Sequence, residues 1–455
     1  MHSKHLAALG VALSLALTTP AQADDPVLPF EKYQLDNGLE VILHQDKSVP
    51  LVAVNVWYHV GSGDETLGKS GFAHLFEHML FQGSQHVGED KHFDTLKSIG
   101  ASGVNGTTNP DRTNYFEVVP SHLIETGLWL ESDRMGYLLP LLNQESLDNQ
   151  IEVVRNERRQ RYDNVPYGNT RFVTAAALYP EGHPYRYLTI GKHEDLTSST
   201  LEDVKGFYRK WYAPANATLV LAGDFEVPQA KELIEKWFGS FPKTEKPQIV
   251  KPAFPNPKAS RTEVVDEFAK LRRIDYVWTT PGLYKQGDAE LDVIASALGK
   301  SGTGRLYKIL VHEKQLAQRV AVYQASSNYS STFTISVTVK SDADLAEVER
   351  IMQEETAKIM SAPITKEELS RAVTGFESGA IWGLESLMAR ANRLQGYNHF
   401  LGNPDSITAD LDRYRNTNLA DIQRVAGKYL VPERRVEILT MPSSKTPKPP
   451  KTASK

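Results

Sequence analysis

Two histidines and one glutamate within five residues could hold a metal ion and move a proton. His74, Glu77 and His78 stand in the segment HLFEH. If this segment is helical, residues four apart lie on one face about one turn apart, so both imidazoles can reach one ion. Glu77 would lie beside that ion, where its carboxylate could take a proton from metal-bound water. A solvated helix face is the alternative for these five residues alone.

The residues that flank this motif favour a buried metal site. Most positions in the stretch GFAHLFEHMLFQG are apolar, so we expect the segment to lie in the interior. Buried imidazoles and a buried carboxylate need polar partners, and one ion would serve all three. Gly71 before the segment and Gly83 after it predict the two ends of the helix.

A third ligand has to come from elsewhere in the chain. The sequence has no cysteine, which excludes thiolate metal sites, disulfides and cysteine catalysis. Residues 146–159 read as a charged helix with Ser146 as its N-cap, and a carboxylate on this helix is the natural candidate. We choose Glu157, which shares a helix face with Gln150. Spacing alone does not distinguish Glu157 from Glu145 or Glu152, and an exposed charge is the alternative.

The composition and the N-terminal residues limit which class of protein this can be. With 455 residues, 40% hydrophobic and 24% charged, the chain is long enough for two or more globular domains. The net charge of −5 argues against nucleic acid as the main partner. Residues 1–23 predict a signal peptide, with Lys4, an apolar run and a cleavage pattern ending at Ala23. We therefore expect a periplasmic or secreted protein; an uncleaved anchor is the alternative.

The hydrophobic pattern predicts an α+β protein in which the second half repeats the first. Strands are predicted at 33–35, 39–43, 51–58, 115–119, 217–223, 274–280, 332–339 and 436–440. Helices are predicted at 92–99, 123–139, 201–212, 228–238, 289–298, 345–360 and 365–387. Residues 101–108 are small and polar, and predict an edge strand able to accept an extended peptide, or else a surface loop.

The domain organisation follows from this repeat. Residues 242–260 are rich in proline and lysine and predict a linker. On either side we expect two homologous α/β-sandwich-like domains, 27–241 and 261–441, each a mixed or antiparallel sheet with helices on one side. The tail, 442–455, is expected to be disordered.

With these pieces placed, residues 27–441 resemble the pitrilysin-type metallopeptidases, in the branch that contains mitochondrial processing peptidase and its bacterial relatives. The motif His-x-x-Glu-His reverses the order found in most zinc proteases. Further matching motifs are Gly61-Ser62, Asn105-Gly106-Thr107-Thr108, Ser132-Asp133-Arg134-Met135 and the segment VVRNERR at 153–159.

The resemblance implies a zinc-dependent endopeptidase with one Zn²⁺ per chain. The implied zinc ligands are His74, His78 and Glu157, with Glu77 as the general base that activates a zinc-bound water. The chain would form half of a clamshell that admits peptides or unfolded protein segments. The residues implied to lie on the strand that pairs with substrate are Gly103, Val104, Asn105, Gly106 and Thr107.

Two departures from the family pattern affect the site. Gln150 stands where a glutamate often orients a metal ligand through a hydrogen bond, so an amide would take that role. In the second half, Val311 and Gln318 stand where an arginine and a tyrosine would grip the substrate. We therefore expect a heterodimer with a homologous subunit that supplies both groups. The alternatives are a non-catalytic structural subunit and a protein that captures metal or peptide without cleaving it.

The remaining histidines are not expected to bind metal. The histidines at His86, His92, His183 and His193 lie in polar or loop-like segments and are predicted to be surface residues.

Overall fold

The polypeptide forms two β-sheets, one from each half of the chain. A computed structural model describes residues 25–362 and 364–444. The predicted signal peptide lies outside the described residues, as does most of the predicted tail. Among the helices that are described, none combines the length and the apolar character needed to cross a bilayer.

The first sheet has six strands in the order β1-β2-β6-β3-β5-β4. Its strands are β1 (Glu31–Gln34), β2 (Glu40–Gln45), β3 (Leu51–Tyr58), β4 (Ser102–Thr108), β5 (Thr113–Pro120) and β6 (Ala217–Gly223). Strand β2 pairs with β6 in parallel, and the other neighbours are antiparallel. The central strands β3 and β6 are buried on both faces, which explains why they are apolar apart from Asn55 and Thr218.

The second sheet has five strands in the order β7-β11-β8-β10-β9. Its strands are β7 (Ser260–Asp266), β8 (Arg273–Thr280), β9 (Ala317–Ala325), β10 (Ser331–Val339) and β11 (Val436–Pro442). Only β7 and β11 are parallel. Residues 242–259 contain no helix or strand, and the division into 27–241 and 261–441 stays a prediction.

Helices accompany both sheets. Those of the first half are α1 (Phe72–Met79), α2 (Lys91–Ser98), α3 (Ile124–Gly136), α4 (Gln144–Arg158), α5 (Thr170–Leu178), α6 (His193–Thr197), α7 (Leu201–Trp211) and α8 (Val227–Phe238). Those of the second half are α9 (Asp288–Gly299), α10 (Arg305–Tyr307), α11 (Leu345–Ser361), α12 (Lys366–Trp382), α13 (Leu387–Leu401), α14 (Ile407–Arg415) and α15 (Leu419–Tyr429). The predicted α+β class and the repeat of two similar sheets are confirmed.

Each sheet has helices of its own half on one face and a helix from the other half on the opposite face. On the first sheet, Val54 faces the helices of the first half, and Ala53 faces Ala391 and Leu394 of α13. On the second sheet, Val277 packs with Leu178 of α5. This exchange of helices locks the two halves together, and the repeat in the sequence did not predict it.

Several helix boundaries differ from the sequence predictions; α3, for example, ends at Gly136 and not at 139. Helix α4 begins after Asn143, whose side chain accepts the Ser146 N–H at 2.9 Å, so Ser146 lies inside the first turn and is not the N-cap. The helix predicted at 365–387 is interrupted, because Ser386 caps a new helix by accepting the Ala389 N–H. Helix α1 ends at Met79 and not at Gly83.

Gly83 serves a tight turn instead. Its φ is 128°, and an added Cβ would lie 2.9 Å from the Val87 carbonyl oxygen. Only glycine tolerates that backbone conformation at such a close approach.

Candidate metal centre

Helix α1 carries the His-x-x-Glu-His motif and lies between the hydrophobic core and the candidate metal site. Phe76 lies on the core face, where its ring stacks on Phe207 and Tyr212. His74 and His78 lie on another face with their ring centroids 4.8 Å apart. The apolar residues between the histidines therefore fix the rotation of the helix, and this rotation sets the direction of both imidazoles.

The start of α1 is anchored by Glu65. Gly71, at φ 94°, offers no side chain to cap the helix. Instead, Glu65 accepts the backbone N–H groups of Gly71 at 2.9 Å and Ala73 at 2.8 Å. These N–H groups have no partner within the helix, and a carboxylate also suits the positive end of the helix dipole. Burial raises the pKa of the Glu65 carboxyl well above its usual range.

Helix α4 brings Glu157 to the two histidines. Glu157 Oε2 lies 3.2 Å from His78 Nε2 and 3.6 Å from His74 Nε2. Its other oxygen, Oε1, pairs with Arg161 at 2.8 Å. Among the residues that the structure describes, these three form the one group of three or more potential metal-ligating side chains, with donor atoms within 4.8 Å of one another.

The other two candidate carboxylates on α4 do not join this group. Glu152 is exposed and pairs with Arg155. Glu145 is exposed in the first turn of the helix. The packing of α4 on α1 therefore selects among the three glutamates that spacing could not separate.

The donor chemistry of this group fits a zinc ion. Burial lowers the pKa of His74 to about 4, so its imidazole is neutral at neutral pH. The hydrogen bond with His78 lowers the pKa of Glu157. Two imidazole nitrogens and one carboxylate oxygen are a donor set that zinc accepts while keeping one position open.

Glu77 faces strand β4 rather than the core. Its Oε2 accepts a hydrogen bond from Thr108 Oγ1 at 2.6 Å. A Cβ added at Gly106 would lie 3.0 Å from Glu77 Cγ, so the strand passes directly over this side chain. Burial raises the pKa of Glu77. The motif around Thr108 was visible in the sequence. The contact between Thr108 and Glu77 was not, because it forms only when β4 packs beside α1 in the folded protein.

Strand β4 lies at the edge of the first sheet, as predicted. Among the described strands it pairs with β5 alone, and a register shift between Ser102 and Asn105 contains Gly103 and Val104. Gly103 has a φ of 61°, a conformation that favours glycine. The outer backbone groups of an edge strand can pair with another extended chain.

The remaining predicted residues lie as follows. Gln150 is buried on α4, two turns before Glu157. Val311 is partly buried in a helical turn at Lys308–Glu313 and packs against the second core, and Gln318 is exposed on β9.

The prediction that the other histidines lie at the surface was wrong for two of the four. His92 and His183 are 3% and 6% exposed. His92 faces the core from α2 and contacts Arg134, and His183 stacks on Tyr179. Local polarity in the sequence did not reveal these tertiary contacts.

Comparison with known proteins identifies the family. Residues 40–180 match the model described as insulinase (peptidase family M16), and residues 198–376 match the model described as the peptidase M16 inactive domain. The chain belongs to peptidase family M16. The resemblance to pitrilysin-type peptidases is thereby confirmed. The M16 domain described as inactive is the half that follows Glu157.

M16 relatives cover almost the whole chain. It is 29% identical over 442 residues to zinc protease PqqE of Helicobacter pylori, covering 94% of this chain and 96% of the relative. It is 25% identical over 419 residues to uncharacterized zinc protease YmxG of Bacillus subtilis, covering 92% and 100%. A solved structure of a protease from Helicobacter pylori superposes with a TM-score of 0.84 at 25% identity, covering 92% of this chain and 100% of that one.

Proposed function

We propose that this chain is a zinc-dependent endopeptidase that cleaves peptides or unfolded protein segments. The observation that carries the proposal is the convergence of His74, His78 and Glu157 beside Glu77, directly under an edge strand. Relatives named zinc proteases over nearly the full length support the same reading.

In this proposal His74, His78 and Glu157 hold one zinc ion per chain. When bound, the ion would polarise the scissile carbonyl and lower the pKa of the attacking water. Gln150 would help to orient the ligands from its buried position on α4.

The chain's own residues would then perform the proton transfers and hold the substrate. Glu77 takes the proton of the attacking water and passes it to the leaving amine. The Thr108 hydroxyl, which donates to Glu77, keeps that carboxylate oriented. The substrate pairs as an extended chain with residues 103–107 of β4. Because backbone groups make most of these contacts, preference among substrate side chains should be modest.

Replacing Glu77 tests the proposal. Glu77→Gln should abolish cleavage of a quenched peptide while zinc content, measured by elemental analysis, stays near one per chain. His74→Ala should lose the metal itself. The matched control is His86→Ala, because His86 is exposed and belongs to no metal-binding group among the described residues. Retained turnover in the Glu77→Gln variant would exclude its role as the base.

We also propose that the chain works beside a homologous subunit in the periplasm or outside the cell. Val311 and Gln318 leave the second half without the arginine and tyrosine that would grip the substrate, so a sibling chain would supply both. Cleavage rates of the purified chain alone and mixed with such a sibling test this: full activity of a homodimer would contradict it. N-terminal sequencing of the exported protein should begin at Asp24.

A non-catalytic structural or peptide-binding subunit is the second candidate, and the same absence of a substrate grip favours it. A chelator distinguishes the two. A peptidase loses cleavage when zinc is removed and regains it when zinc is restored, whereas a binding subunit shows no cleavage with or without its sibling.

A further inference from the structure

The turn between the edge strand β4 and its partner β5 lies against the second half of the molecule. Residues 109–112 form this turn. Asn109 Oδ1 accepts the backbone N–H groups of Asp111 at 2.8 Å and Arg112 at 2.9 Å. These bonds hold the turn in one conformation and leave the Asp111 side chain free to point away from it.

Asp111 fastens this turn to the second sheet. Its Oδ2 accepts the backbone N–H of Asn328 at 3.0 Å, and its Oδ1 accepts the hydroxyl of Tyr185. The Tyr185 oxygen in turn accepts the backbone N–H of Tyr329 at 3.1 Å. Asn328 and Tyr329 lie in the loop between β9 and β10, so one carboxylate joins the two halves directly and through Tyr185.

Arg112 ties the same turn back to the edge strand. Its Nη1 donates to the Thr107 carbonyl oxygen at 2.9 Å and to Asn114 Oδ1 at 3.1 Å. Its guanidinium also lies over the ring of Trp57, 5.1 Å from the centroid. Thr107 precedes Thr108, whose hydroxyl holds Glu77. A shift of the turn is therefore transmitted to the end of β4 and to the carboxylate beneath it.

The turn is also packed against the segment that precedes α1. Ser62 N donates to the Asn109 carbonyl oxygen at 3.1 Å, and Gly63 N donates to the Pro110 carbonyl oxygen at 2.8 Å. A Cβ added at Gly61 would lie 2.4 Å from both carbonyl groups, so this contact requires glycine there. The turn thus contacts both segments that position Glu77, namely β4 and the lead into α1.

We propose that Asp111 is a positioning residue that lets the second half, which lacks metal ligands, set the position of the substrate-pairing strand and of Glu77. The role in catalysis rests on the proposed function. The mechanical part of the proposal is that Asp111 holds the end of β4 in place. It does not rest on the proposed function, because it concerns only how well β4 is ordered. A carboxylate suits this task because it has two acceptor oxygens. One accepts a hydrogen bond from Asn328 in the second half, and the other accepts one from Tyr185.

Hydrogen exchange of the full-length, metal-free protein tests the mechanical part. In Asp111→Ala, amides of residues 102–108 should exchange about 10-fold faster or more, because the end of β4 is released. Asp111→Asn keeps one acceptor oxygen and should show a smaller effect, and it serves if the alanine variant does not fold. The matched control is Asp46→Ala, since Asp46 also pairs across the halves, with Arg390, but touches neither β4 nor its turn. Unchanged exchange of 102–108 in both Asp111 variants, or equal loosening in Asp46→Ala, would overturn the inference.

Peptide cleavage tests the catalytic part. Asp111→Ala should lower kcat by about 10- to 100-fold, the scale expected when reacting groups are misplaced. KM should change less, and zinc affinity should stay within about twofold of the wild type, because no metal ligand contacts Asp111. Unchanged kcat with loosened β4 would overturn the catalytic role. A wild-type protein that cleaves nothing would instead refute the proposed function, and the exchange result would still decide the mechanical part.

Discussion

Removal of the Glu65 carboxylate should loosen the helix that carries both histidines. Glu65 accepts two N–H groups at the start of α1, and the helix has no capping side chain of its own. Loss of one such cap costs about 0.5–2 kcal/mol. Losing both bonds in Glu65→Ala should therefore lower the free energy of unfolding by about 1–4 kcal/mol, a large share of the 5–15 kcal/mol typical of a domain.

Glu65→Gln should cost less. The amide keeps one acceptor oxygen, and it avoids burying a charge at a position where burial raises the pKa of the carboxyl. Urea unfolding of the metal-free protein would measure both variants through the shift of the midpoint at constant slope. The matched control is Glu232→Ala, which removes an exposed glutamate on α8.

Zinc affinity provides an independent measure of the same effect. If the start of α1 unfolds without Glu65, zinc binding has to refold it. Each 1.4 kcal/mol that this refolding costs weakens zinc binding about tenfold. Competition with a chromophoric chelator should then show at least about fivefold weaker binding in Glu65→Ala. An unfolding midpoint and a zinc affinity both equal to those of the wild type would show that Glu65 does not anchor α1.

Three further predictions concern single contacts. Thr108→Val, which removes the hydroxyl that donates to Glu77, should lower kcat by about tenfold, the effect of losing about 1.4 kcal/mol; Thr108→Ser should retain the rate, and equal rates in the two variants would contradict this. Gly106→Ala should lower kcat/KM, because the added methyl group would press on Glu77 and Phe81; an unchanged value would mean that the strand can shift freely. Burial raises the pKa of Asp292 to about 7, so the folded state binds a proton that the unfolded state releases near pH 4, and the contribution of this carboxyl to wild-type stability should fall as pH rises between these values. Asp292→Asn should flatten this decline in urea titrations at pH 5 and pH 8 relative to the exposed control Asp342→Asn, and an unaltered slope would contradict the assignment.

Most of the strands and helices that form the core could be predicted from the sequence. The bounds predicted for β3 and β6 match the observed strands residue for residue. Both strands are mainly apolar, with Asn55 in β3 and Thr218 in β6 as the exceptions, and such local signals do not depend on the rest of the fold. The helix bearing His74 and His78 was equally visible, because its ligand spacing and its apolar residues follow the same helical period.

Other features depended on contacts between distant segments. Glu145, Glu152 and Glu157 have similar local surroundings in the sequence, and only the packing of α4 on α1 brings Glu157 to the imidazoles. Its role as a ligand stays a prediction, as do those of Glu77 and of residues 103–107. The Glu65 anchor and the Thr108 contact gave no local signal.

The sequence by itself thus determined which chemistry this chain can support: two imidazoles and a carboxylate on one short helix, in a chain without thiols. The tertiary structure alone decided which carboxylate joins them, how the edge strand lies over Glu77, and that α5 and α13 cross between the halves. The physical reason is the range of the interactions. Helical and strand periods are set by a few neighbouring residues, whereas these choices depend on how segments 31 to 340 residues apart pack into the same interior.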